Sequence, residues 1–214
     1  MLRLLAFCCC SFAMSLSAAQ DLRLPSDGRW FVLQGGDTLN VNHHMSLQAQ
    51  WFGVDFAKLG GPSRLELSPP NASRLEQFYS WGEPVLASHD GQVLVVINDL
   101  PDNVLGTKDA INPLGNYISI KVAQDRFLFL AHFQRGTITV KPGDRVKRGQ
   151  PLGRCGNSGN SDHPHIHLHV QDRPTLNVGS GQNPVFGGMD VELNGKLFEN
   201  VTWPVIRGLF IAPH

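Results

Sequence analysis

From His165 to Gln171 the chain reads His-Ile-His-Leu-His-Val-Gln, a strict alternation of polar and apolar side chains. Period two belongs to a β-strand, whose successive side chains project to opposite faces. A strand here sets His165, His167 and His169 on one face and Ile166, Leu168 and Val170 on the other. One face then buries apolar surface while the other displays imidazoles. With His163, four of the nine histidines fall within seven residues. A row of this kind serves a metal site or acid/base chemistry. The turn-rich run Gly-Asn-Ser-Gly-Asn-Ser-Asp, residues 156–162, leads into it.

The rest of the chain frames what such a row can do. At 214 residues it suits one domain plus a leader. Apolar residues at 42% against 17% charged fit a globular fold. Basic and acidic residues balance at 18 each, so nothing points to nucleic acid or to anionic lipid. Arg3, the apolar run Leu4–Leu16 and the small residues Ser17-Ala18-Ala19 read as a signal peptide over 1–19, with the domain at 20–214. The apolar run is short for a membrane span, so no transmembrane anchor is expected after cleavage. Cys8, Cys9 and Cys10 lie in the leader, and Phe7 stands where a lipid-anchor cysteine would follow a small residue. Cys155 is then the one cysteine left, which excludes an internal disulfide and a cysteine zinc site. Any metal must be held by His, Asp or Glu.

Short strand-like runs separated by Gly, Pro, Asn and Asp predict a mostly β, antiparallel domain. The candidates are Leu39–His44, Trp51–Phe56, Pro84–Ser88, Gly91–Asn98, Tyr117–Ala123, Phe127–Phe133, Thr137–Val140, Gln150–Cys155 and His165–Gln171. Leu75–Tyr79 fits a short helix or a strand, Leu100–Gly115 a long loop, and Val191–Trp203 a closing strand or hairpin.

Gly-Asn-Ser-Gly-Asn-Ser followed by Pro164-His165-Ile166-His167 resembles the signature of the lysostaphin/LytM-type zinc endopeptidases. Leu130-Ala131-His132-Phe133, the stretch Val140–Gly153, the pair Gly82–Val85 with Asp90–Val93, and Gly53-Val54-Asp55-Phe56 resemble further segments of that family, in order. The likeness spans roughly residues 50–172. It implies a β-sandwich of the duplicated-hybrid-motif type with Zn2+ as cofactor. Asp55 and His167 would be zinc ligands, and His132 and His165 would flank the zinc-bound water. The reaction implied is hydrolysis of amide bonds in peptidoglycan peptides by a secreted or periplasmic enzyme. On their own, Asp55 also fits a turn cap and His132 a structural residue. His163 and His169 read as bystanders or as support for a ligand, and His89 as a surface residue. Asn116 fits a cleft wall or a turn equally, and Cys155 reads as a small buried residue.

One departure stands out. The family has a histidine four residues before the aspartate, and here that position is Trp51, which cannot bind zinc. A substitute lies in Asn42-His43-His44. If Leu39–His44 and Trp51–Phe56 form a hairpin, His44 shares a face with Asp55, and a one-residue slip selects His43 instead. The metal set expected is therefore His44, Asp55 and His167. The departure also admits a second reading, a relative that has lost catalysis and binds cell wall or activates an amidase. A zinc hydrolase of the same fold acting on another bond is a third, since a scaffold does not fix a substrate.

Overall fold

The computed structural model describes residues 21–214. The expected leader and its three cysteines lie outside them. Thirteen strands follow one another: β1 (Trp30–Gln34), β2 (Val54–Ala57), β3 (Pro84–Leu86), β4 (Gly91–Ile97), β5 (Asn116–Ala123), β6 (Arg126–Phe133), β7 (Arg145–Val146), β8 (Pro151–Arg154), β9 (Ile166–Gln171), β10 (Gly181–Gln182), β11 (Phe186–Leu193), β12 (Lys196–Trp203) and β13 (Phe210–Pro213). One large sheet runs in the order β12-β11-β13-β1-β2-β9-β6-β5-β4-β7, with β10 added beside β9, while β3 and β8 form a separate pair. The fold is the mostly β, antiparallel one that the alternating runs predict. Among the described residues no helix is long and apolar enough to cross a membrane.

Strand β9 lies near the middle of the large sheet, between β2 and β6. Its Ile166, Leu168 and Val170 are fully buried and join Val54 and Phe56 of β2 and Leu128 and Leu130 of β6 in the main core. Each such side chain contributes roughly 1.5–3 kcal/mol by leaving water. Val85 of β3 and Leu152 of β8 belong to the same cluster, so the small sheet closes over this face. The opposite face of β6 carries Phe127, Phe129 and Ala131 in a second cluster. The histidines of β9 share that second face.

Two expected strands do not form. Leu39–His44 is turn, and His43–Ser46 is a 3-10 turn rather than one arm of a hairpin. Both edges of β2 are already paired, with β1 on one side and β9 on the other, which leaves no ladder for that segment. Thr137–Val140 is irregular because its amides bond sideways, Ile138 N–H to Asn98 Oδ1 and Thr139 N–H to the Leu152 carbonyl. The expected Leu75–Tyr79 element is a 3-10 turn over Leu75–Gln77. The C-terminal hairpin forms, as β11 and β12, around Asn194 and Gly195, both at positive φ as a two-residue hairpin turn requires. Strands β1 and β13, which tie that hairpin to the sheet, lack a clear alternating signal in sequence.

Candidate metal centre and its histidines

Asp55 and His167 are direct cross-strand partners on β2 and β9, and Ala131 of β6 pairs with His167 on the other side. Opposed residues share a sheet face. The chain thus lines up carboxylate, imidazole and a methyl group small enough to leave space above them. His167 Nδ1 lies 2.9 Å from Asp55 Oδ1. Both residues are buried, at 1% and 4% exposure.

His44 reaches the same carboxylate from a loop, not from a strand. Asn42 holds the loop in place. Its side chain accepts from the His44 amide and donates to the carbonyls of Gly36 and Gly53. Gly53 lets the imidazole lie against the backbone, since a Cβ there would stand 3.1 Å from the His44 ring. The outcome puts His44 Nε2 3.0 Å from Asp55 Oδ2. The buried nitrogen makes no well-formed hydrogen bond. His43 is exposed, its ring 4.1 Å from that of His44, and its donor atom lies within 4.8 Å of those of His44 and Asp55. His167 joins the same carboxylate from the other side, through the 2.9 Å contact with Asp55 Oδ1. Trp51 is a turn residue whose indole donates to the Met45 carbonyl.

His132 and His165 complete the floor. Strand β6 carries a bulge here: Asn116 pairs with Phe133 and Ile118 with Leu130, so Ala131 and His132 together face Tyr117. His132 takes φ of +62°, in the left-handed region. Simple alternation would bury His132 in the main core. The bulge instead returns Phe133 to that core and turns His132 toward His165, with rings 4.6 Å apart. His132 Nδ1 meets the Ser158 carbonyl at 2.8 Å, and His165 Nδ1 meets the His163 carbonyl at 2.9 Å. A carbonyl only accepts, so each Nδ1 carries a proton, and in the neutral ring it is Nε2 that presents the lone pair. His165 Nε2 stands 3.7 Å from Asp55 Oδ1.

The charges follow from this packing. Burial opposes a charge on Asp55, but the histidines around it, His44 foremost, outweigh burial and hold the carboxyl well below its usual range. Burial likewise lowers His44, and the Asp55 carboxylate overrides it and raises the imidazole. Burial, with neighbouring His165 and His167, pushes His132 well down. His167 and His169 are each lowered to about 3, burial again the leading cause and His44 the next. At neutral pH the centre holds one firm carboxylate among imidazoles, of which His132, His167 and His169 are neutral.

The remaining candidates separate cleanly. His169 is fully buried, stacked on Phe129 at 4.7 Å, with Nδ1 2.8 Å from His167 Nε2. His163 lies outside the cluster and stacks on Phe78. Asn116 holds a turn, bonding both backbone groups of Leu100 and the Phe133 carbonyl. His89 bonds its neighbour's carbonyl in the turn at Asp90. Cys155 is buried, and burial pushes its thiol well up, so it offers no thiolate. Asp102 goes unnoticed in sequence. Its two oxygens accept from the amides of Asn157 and Arg135, pinning the glycine-rich loop behind His132. A cleft of about 190 Å³ opens over the group, lined by His43, His44, Gln50, Leu114, His132 and His167 among others.

The family model for peptidase family M23 matches residues 75–180. Endolysin 2638A of Staphylococcus phage 2638A is 34% identical over 99 residues, covering 44% of this chain and 20% of its own length. Peptidoglycan DD-endopeptidase ShyA of Vibrio cholerae is 28% identical over 155 residues, covering 71% of this chain and 28% of its own. The chain therefore spans under a third of the length of either relative. The catalytic domain of the antimicrobial peptidase lysostaphin from Staphylococcus simulans superposes with a TM-score of 0.42 at 22% identity, covering 74% of this chain and 89% of that one.

Proposed function

Because this chain belongs to peptidase family M23, we propose that it is a zinc metalloendopeptidase that hydrolyses amide bonds in peptidoglycan peptides. The residues fit the metal. Two imidazoles and one carboxylate are a donor set suited to zinc. The unpartnered His44 Nε2, buried 3.0 Å from a carboxylate oxygen, is the single observation that carries the reading. A nitrogen so placed is costly to bury unless a proton or a metal cation lies between it and the carboxylate, and the imidazoles and carboxylate that converge there suit a metal. His44 Nε2, Asp55 and His167 Nδ1 would hold the ion. Zinc supplies a water acidic enough to ionise near neutral pH and a Lewis acid for a carbonyl oxygen.

The side chains do the rest. His132 lines the cleft and His165 stands beside it, each ring oriented through Nδ1 by a backbone carbonyl. Either can take a proton from a water or return one to a leaving amine. His132, held neutral by burial, keeps its lone pair at neutral pH. The ionised Asp55 balances positive charge that gathers at the centre. The name of the Vibrio cholerae relative supports peptidoglycan as substrate. The signal-peptide reading and such relatives together support action in the periplasm or outside the cell.

Trp51 favours a second reading, a non-hydrolytic cell-wall binder, since it stands where the family keeps a histidine. Zinc content and turnover separate the two. The protein should bind one zinc per chain and release peptides from purified peptidoglycan in a chelator-sensitive way. His167→Ala should lose zinc and turnover together. Stoichiometric zinc retained in that variant would defeat the ligand assignment.

A further inference from the structure

Beyond the ligands, β9 carries a second row. His167 Nε2 lies 2.8 Å from His169 Nδ1, and His169 Nε2 lies 3.4 Å from Gln171 Oε1. The orientation of the Gln171 amide is not free. Its nitrogen shares two hydrogens among the carbonyls of Arg173 at 2.6 Å, Thr175 at 2.7 Å and Val178 at 3.2 Å. Carbonyls accept only, so the –NH2 must face them and Oε1 must face His169. All three residues are at most 1% exposed, so the row is closed to bulk solvent.

An imidazole that ligates a metal through Nδ1 carries its hydrogen on Nε2, and that hydrogen needs an acceptor. On His167 the acceptor within reach is His169 Nδ1 at 2.8 Å. His169 then carries its own hydrogen on Nε2, which points to Gln171 Oε1. The carbonyls that hold the Gln171 amide thus set the direction of the whole row.

We propose that His169 and Gln171 are positioning residues that commit His167 to the Nε2–H form and so keep its Nδ1 lone pair turned toward Asp55, where the ion would sit. With the ion in place, His167 Nε2–H donates to His169 Nδ1, His169 Nε2–H donates to Gln171 Oε1, and every group in the row is satisfied. Partners of this kind typically change metal affinity 10–100-fold. This inference rests on His167 being a metal ligand.

Zinc affinity across a double-mutant cycle, measured by competition with a chelating dye, tests it. Gln171→Met removes the far acceptor and should weaken zinc binding about tenfold or more. His169→Glu supplies its own acceptor to His167 Nε2–H, so in that background Gln171→Met should cost less than about threefold. A Gln171 that merely holds the loop at 173–178 would cost the same in both backgrounds, and that result overturns the proposal. Long-range 1H–15N spectra of the zinc-loaded parent give an independent reading. They should find the ring protons of His167 and His169 on Nε2, and a His169 proton on Nδ1 overturns the row. A parent protein that binds no zinc overturns the metal centre itself and this inference with it. Zinc in the parent with equal costs across the cycle overturns this inference alone.

Discussion

Acid should unfold the metal-free protein far sooner than its carboxylates would suggest. His167 and His169 each sit at about 3 in the folded chain, against an ordinary value of 6.5. Near pH 5 the unfolded chain protonates both, while the folded chain keeps both neutral. The unfolded state thus binds more protons, and stability falls as the pH drops below about 6.5. Between about pH 8 and pH 5 each histidine removes roughly 2 kcal/mol, about 4 kcal/mol for the pair. That figure is set by the distance from 6.5 down to 5 and barely changes with how far below 5 the folded value lies. His132 and His163 are lowered as well and add in the same direction. His44 opposes them. Its folded value is raised, so its contribution is full below 6.5 and is lost as the pH rises through the folded value. Asp55 is lowered, so its contribution is present above about 3.8 and is untouched at pH 5. Urea unfolding of the chelated protein measures the sum. With a slope of about 2 kcal/mol per molar urea, the midpoint should fall by about 2 M from pH 8 to pH 5. An equal or higher midpoint at pH 5 would refute the claim that these histidines are buried neutral.

Other expectations follow from particular contacts. Gly115→Ala forces a side chain into φ of +58° with its Cβ 2.4 Å from the Ser158 carbonyl carbon; we expect about 2–4 kcal/mol lost in urea unfolding and a displaced His132. Asn42→Ala removes the clamp on the His44 loop and should cost about 1–3 kcal/mol, with a measurable loss of zinc affinity; unchanged affinity would separate His44 from the metal. Cys155, fully buried with its thiol pushed up, should resist iodoacetamide in the native protein and react once urea unfolds it; rapid native alkylation would contradict the packing.

How much of the centre was legible beforehand differs by residue. The alternation at 165–171 fixes a strand with imidazoles on one face, because side-chain direction on a strand is a local property with period two. The resemblance of the segments around them to the lysostaphin/LytM-type family, and not the period, singles out Asp55, His132, His165 and His167. Local rules fail at the two places where the chain breaks its own period. His44 arrives through a 3-10 turn clamped by Asn42, and not through the hairpin that pairing alone would suggest, because β1 and β9 already occupy both edges of β2. His132 faces the centre only because a bulge reverses the parity of β6 after Ala131. The row from His167 through His169 to Gln171 is visible as letters, but its meaning depends on three carbonyls from residues 173–178 that turn one amide around. By itself, then, the sequence determined which side chains could meet on a strand face. The tertiary structure decided which of them do, because register, bulges and loop clamps are settled by edges and carbonyls contributed from distant parts of the chain.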